Sequence, residues 1–154
     1  MKLIQREKKY AGKIINLTVD HLLYPSGNET IREVVEHPGG AVILAVFENG
    51  DILLVRQFRY PFGKEVIELP AGKLEPDEDP LVCAQRELRE ETGYAADQWI
   101  KLTSICTTPG FCNEVLHIFL ARGVYPHESG QALEEGESSV QVIRTPLREA
   151  AAMV

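Results

Sequence analysis

The sequence predicts an α/β protein, a mixed β-sheet covered by helices, with a small antiparallel β-sheet at its N-terminus. Two observations predict it. Short runs rich in β-branched and aromatic residues are interrupted by one long helical stretch and ended by another. Residues 2–37 alternate around a polar turn at Pro25-Ser26-Gly27-Asn28.

In chain order, Lys13–Tyr24 and Glu29–His37 read as two strands, with a short one before them near Leu3–Glu7. Two or three strands bury little by themselves. The segment is therefore expected to lie against the main domain or a second subunit. Pro38-Gly39-Gly40 marks a break, which divides the chain into residues 1–39 and 40–154. Ala41–Glu48 and Asp51–Gln57 flank Asn49-Gly50, the strongest short-range hairpin signal. Gln57–Lys64, with Phe58, Arg59, Tyr60 and Phe62, reads as a loop of exposed charges and a few packing aromatics. Glu65–Leu69 is a short strand. Trp99–Cys106 and Glu114–Ala121 are strands on either side of a turn at Thr107–Phe111. Gln131–Ser139 is an acidic loop too poor in apolar residues to pack, Val140–Arg144 is the last strand, and a helix begins at Pro146.

At 154 residues the chain is most simply one compact domain with a small appendage. A net charge of −7 argues against non-specific nucleic-acid binding. It does not exclude a phosphorylated substrate, because a metal can supply local positive charge. Three cysteines without zinc spacing fit a reducing compartment. With no apolar run of signal-peptide or bilayer length, the expectation is a cytoplasmic protein without a membrane partner.

The stretch with chemistry in it is Gly72–Tyr94, an acidic loop running into a helix. Asp79 can cap the helix, Pro80 suits its first position and Gly93 suits a left-handed stop. Glu87 and Glu91 stack on one face with Glu90 beside them, while Leu81, Ala84 and Leu88 form a neighbouring apolar stripe. Neighbouring carboxylates repel, and a hard divalent cation, Mg²⁺ or Mn²⁺, is the natural counter-charge. The bland alternative, a solvated acidic helix, leaves Gly72, Arg86 and Gly93 as coincidences. Asp77-x-Asp79 lacks the glycine of a calcium loop. The four histidines have no ligand spacing, and the cysteines suit packing.

Gly72, Glu78, Arg86-Glu87-Leu88, Glu90-Glu91, Gly93 and Tyr94 match the signature of the Nudix hydrolases residue by residue. Only Tyr94 is atypical, since aliphatic residues are commoner there. Glu68-Leu69-Pro70-Ala71-Gly72-Lys73, and Pro109 sixteen residues after Gly93 (109 − 93), resemble the ADP-ribose pyrophosphatase subfamily. The Arg32-Glu33-Val34-Val35 and Val55–Arg59 segments are similar too. The resemblance implies an α/β/α sandwich that hydrolyses ADP-ribose to AMP and ribose 5-phosphate with Mg²⁺ or Mn²⁺. It implies metal ligation by the Ala71 carbonyl, Glu87, Glu90 and Glu91, with Arg86 and Glu78 structural. Arg59 and Glu68 match positions that touch the diphosphate and ribose. Arg32 matches a residue offered to the nucleotide, often across a homodimer with swapped N-terminal segments. Pro109, Phe111 and Glu114 join the substrate-binding set; Phe111, Tyr60 and Phe62 are candidates for stacking on adenine, and for Glu114 a solvated strand position is the bland alternative. Besides Glu90, the catalytic residue is the base, which the resemblance puts in the Glu134–Glu137 loop: Glu137, with Glu135 second. Two other functions stay open: action on another nucleoside diphosphate sugar such as GDP-mannose, and ADP-ribose binding without cleavage.

Overall fold

The computed structural model of the chain describes residues 1–133 and 139–153. Glu135 and Glu137, the expected bases, lie outside the described residues. The chain divides into two compact units, Met1–Gly39 with Ile105–Leu116, and Gly40–Ser104 with His117–Val154.

The first unit is built on a three-stranded antiparallel sheet, β1 (Lys2–Ala11), β2 (Asn16–Leu23) and β3 (Glu29–Glu36), in that order. β1 is longer than the short strand expected near Leu3–Glu7. It is an edge strand exposed along nearly all its length, so pairing with β2 and not a buried apolar face holds it. The β2–β3 turn forms at the polar break: Tyr24 N–H donates to the Asn28 carbonyl at 2.9 Å, and Gly27 has φ +87°. Thr18 and Asp20 share the buried face of β2, two residues apart as strand geometry requires. Arg6 lies opposite Asp20 in the register and forks onto it with two 2.7 Å hydrogen bonds. That fork holds the Asp20 carboxyl below its ordinary range.

Residues 105–116 are stitched to the end of β3. Val35 N–H donates to the Phe111 carbonyl at 2.7 Å, and Asn113 N–H donates to the Val35 carbonyl at 3.2 Å. The His37 N–H completes the seam with 2.7 Å to Asn113 Oδ1.

The second unit holds most of the larger, mixed sheet. Its strands run in the order β10 (Gln141–Pro146), β5 (Asp51–Arg59), β4 (Gly40–Val46), β9 (Val115–Pro126), β8 (Tyr94–Cys106). Two short strands join from the side, β6 (Lys64–Glu68) on β5 and β7 (Ala71–Lys73) on β4. The helices are α1 (Pro80–Thr92) and α2 (Leu147–Ala151).

The Asn49-Gly50 hairpin is present, with Gly50 at φ +86° and Phe47 N–H donating to the Asp51 carbonyl at 2.9 Å. Gln57–Arg59 belong to β5 and not to a loop, because β6 pairs with β5 from Val55 to Arg59. A single 3₁₀ turn, Tyr60–Phe62, follows and stops at Gly63. β8 begins at Tyr94 and not Trp99. Ala95-Ala96-Asp97-Gln98 carries no strand propensity, and sheet context overrides it.

The core lies between β4 and α1. Ala41, Ile43 and Ala45 alternate inward on β4 and meet Cys83, Ala84 and Leu88 of the helix, all with no exposed surface. Burying each large aliphatic side chain contributes about 1.5–3 kcal/mol, so the apolar stripe of α1 fixes which helix face remains for its glutamates.

Candidate active site

β4 pairs at its start with β7, matching Gly40 to Lys73 and Val42 to Ala71. That pairing delivers Ala71 and Gly72 to the helix. α1 starts as its sequence predicts: Asp79 Oδ1 accepts from Leu81 N–H at 2.8 Å and Pro80 opens the first turn. It ends at Gly93, whose φ is +73° and whose N–H donates to the Arg89 carbonyl at 2.8 Å.

Glu87 and Glu91 are buried, at 8% and 2% exposure, and Glu90 is partly exposed beside them. Each is fixed by a different contact. Ala71 N–H donates to Glu91 Oε2 at 3.0 Å. The carboxylate of Glu87 lies so close over Gly72 that a Cβ there would fall 1.8 Å from its carboxyl carbon. A side chain at position 72 would force that carboxylate to shift. Arg86 Nη1 donates to Glu87 Oε1 at 2.7 Å and to Glu90 Oε2 at 3.1 Å.

The same guanidinium forks onto Glu78 with two 2.9 Å hydrogen bonds and reaches the Lys73 carbonyl at 3.2 Å. Arg86 therefore ties the loop, β7 and two glutamates of the helix together. Its hydrogen bonds hold the Glu78 carboxyl down to about 2, against the cost of burial, and they raise the guanidinium's own pKa. Cys83 packs beneath, and burial pushes its thiol up to about 12. At neutral pH it stays a protonated thiol.

Among the described residues no three His, Cys, Asp or Glu side chains converge at coordination distance. The guanidinium of Arg86 stands between the carboxylates instead. The donor set still suits a hard divalent cation. Glu78, Glu87, Glu90 and Glu91 carry four formal negative charges, and Arg86 with Arg89, which donates to Glu90 Oε1 at 3.3 Å, returns two. Carboxylate oxygens are the hard ligands such a cation takes.

Arg59 and Glu68 also lie in this unit and bind each other, Nε to Oε2 at 2.7 Å. Arg32, Pro109 and Phe111 lie in the first unit, where they line a cavity of about 400 Å³ with Cys106 and Cys112. Glu114, in the same unit, accepts from Thr107 Oγ1 at 2.6 Å and sits 3.3 Å from His37 Nδ1. Tyr94, the atypical end of the signature, meets the Phe47 ring edge-on with centroids 5.6 Å apart. Arg144 stacks over that same Phe47 ring at 3.8 Å. Sequence reasoning missed Gln131 and Ala132. Both fall in a stretch read as unpacked, yet both donate to the end of α1. A polar residue in an acidic loop carries no periodic signal.

The carboxylates seated on a glycine and bridged by an arginine are those of the stretch that resembles the Nudix signature. Comparison with known proteins agrees. The NUDIX domain model matches residues 36–153, and the chain belongs to the Nudix family, whose members generally use divalent metal ions. It is 42% identical to an ADP-ribose pyrophosphatase of Bacillus subtilis over 99% of this chain and 82% of the relative. It is equally 42% identical to a methanol dehydrogenase activator of Bacillus methanolicus, over 97% and 80%. A GDP-mannose pyrophosphatase of Yersinia enterocolitica is 34% identical over 82% and 69%. A crystal structure of an ADP compounds hydrolase shares the fold, with a TM-score of 0.84 at 18% identity, over 99% of this chain and 81% of the other.

Proposed function

We propose that this Nudix hydrolase cleaves the diphosphate of ADP-ribose, giving AMP and ribose 5-phosphate, with Mg²⁺ or Mn²⁺ as cofactor. The observation that supports it most is likeness to an ADP-ribose pyrophosphatase along 99% of the chain. That likeness takes in the N-terminal strands, which precede residue 36, where the NUDIX match starts.

In this reading water adds to one phosphorus, the bond from that phosphorus to the bridging oxygen breaks, and the two monophosphates separate. A divalent ion, when bound, neutralises the non-bridging oxygens and acidifies water. Glu87, Glu90, Glu91 and the Ala71 carbonyl are the groups that would hold it. Arg86 keeps Glu87 and Glu90 in place without leaving them as adjacent uncompensated charges. Arg59 offers the diphosphate a guanidinium fork that Glu68 already orients. Glu137, with Glu135 second, takes the proton lost by water. Arg32, Pro109, Phe111 and Glu114 stand as nucleotide-binding residues, as the resemblance implies.

The same reading makes the protein a cytoplasmic homodimer joined through residues 1–39, with no nucleic-acid or membrane partner. A net charge of −7 supports the first exclusion. Among the described residues no helix is long and apolar enough to cross a membrane. Sedimentation equilibrium checks the dimer: a mass near 17.2 kDa at working concentration would remove it.

A second reading, hydrolysis of GDP-mannose, is favoured by the relative of that name. A third, binding without cleavage, fits poorly with a complete Arg86-Glu87 and Glu90-Glu91 set. A panel of ADP-ribose, GDP-mannose, NADH and diadenosine polyphosphates with Mg²⁺ separates them. The highest kcat/KM is expected for ADP-ribose, with AMP as product. Turnover of another substrate without AMP from ADP-ribose would overturn the assignment.

A further inference from the structure

A helix leaves its last carbonyls without intrahelical donors. At the end of α1 one short segment, residues 127–132, supplies donors to three of the carbonyls there. Ala132 N–H donates to the Glu90 carbonyl at 3.0 Å, and His127 N–H donates to the Gly93 carbonyl at 2.8 Å. The side-chain amide of Gln131 donates to the Glu91 carbonyl at 2.6 Å. Gly93 lets this segment approach, since a Cβ there would lie 3.0 Å from Gln131 N and 3.1 Å from the Gly130 carbonyl carbon.

Two box glutamates sit in this turn, and it is a poor place for them. Helix ends fray first. The C-terminal end of the helix dipole is negative and disfavours added anions. Donors placed on the carbonyls of these same two residues counter both effects. They offset the negative end and tie down the peptides from which the carboxylates project.

We propose that Gln131 is a positioning residue for the Glu90–Glu91 pair, setting both carboxylates before a divalent cation arrives. The idea rests on the proposed function only for the kind of ligand. Without the amide, part of the cation's binding energy goes into ordering the last turn, and affinity falls.

Three variants test it. Gln131→Met keeps the volume and removes the donor. Gln131→Lys restores a donor on a long stem. Gln131→Glu keeps the shape and aims an anion at the carbonyl. Mn²⁺ binding is read from the electron paramagnetic resonance of the free ion, well below each variant's Tm. One neutral hydrogen bond corresponds to a change of about three- to tenfold, and that loss is expected for Gln131→Met. Gln131→Glu should lose more, and Gln131→Lys should return to within about twofold of wild type. Equal affinities in all variants overturn the proposal, as does an affinity that follows Tm and ignores donor capacity. Should Gln131→Glu fail to fold, the Met–Lys pair carries the same contrast. The readout needs no substrate. Wild type that binds Mn²⁺ but leaves ADP-ribose intact overturns the functional reading and leaves this one standing. Wild type that binds no Mn²⁺ overturns both.

Discussion

A methyl group added at Gly72 would lie 1.8 Å from the carboxyl carbon of Glu87, about half a normal carbon–carbon contact. Backbone holds Gly72 in place through β4, so the glutamate has to move. For Gly72→Ala we therefore expect metal-dependent turnover to fall about 10–100-fold, the usual range for disturbing a ligand's support, with the circular dichroism spectrum retained. Activity within threefold of wild type would sink that account. Much at this scale was legible in the sequence. The residues with assigned roles in the signature lie close together because helical periodicity places Arg86, Glu87, Glu90 and Glu91, Gly72 admits the Glu87 carboxylate, and Arg86 draws in Glu78 from the loop. Gln131 was not legible. It reaches α1 across forty residues (131 − 91), and no local pattern records such a contact.

The loop and α1 behave as one element because Arg86 clamps Glu78 to Glu87 and Glu90. This clamp gives a signed pH dependence. Glu78 titrates in the folded protein at about 2, below the usual 4.5. Its stabilisation is therefore complete above pH 4.5 and drains away as the pH falls toward 2. In Glu78→Gln that contribution is missing at every pH. The Tm difference between wild type and Glu78→Gln should stay constant from pH 7 to about pH 5 and shrink steadily below it. A difference that persists undiminished at pH 3 would count against the clamp. The strands were less legible than the helix. β1 buries no apolar face, and the start of β8 lacks apolar alternation. They are held by pairing with neighbours that the chain supplies from elsewhere, and propensity cannot see a neighbour.

For the whole molecule, a divalent cation held by the box would couple folding to binding. A ligand that binds the folded chain alone adds RT ln(1 + [L]/Kd), about 2.7 kcal/mol at a hundred times Kd. Tm should therefore climb with Mg²⁺ and fall back on chelation with EDTA, and a Tm indifferent to both would remove the cation from the box. Another consequence concerns time. Tyr94, just beyond the box helix, rests on Phe47, and Phe47 is covered on its face by Arg144. Arg144 is itself held at the β4–β5 turn, by Asp51 at 2.8 Å and Asn49 at 2.9 Å. Fifty residues separate Tyr94 from Arg144 (144 − 94), or about 3–10 seconds of synthesis at roughly 5–20 residues per second. During that interval a nascent chain already holds every glutamate of its box, but the ring beneath Tyr94 still lacks its cover. On the ribosome, the packing beneath the end of the box helix is complete only once β10 has been made.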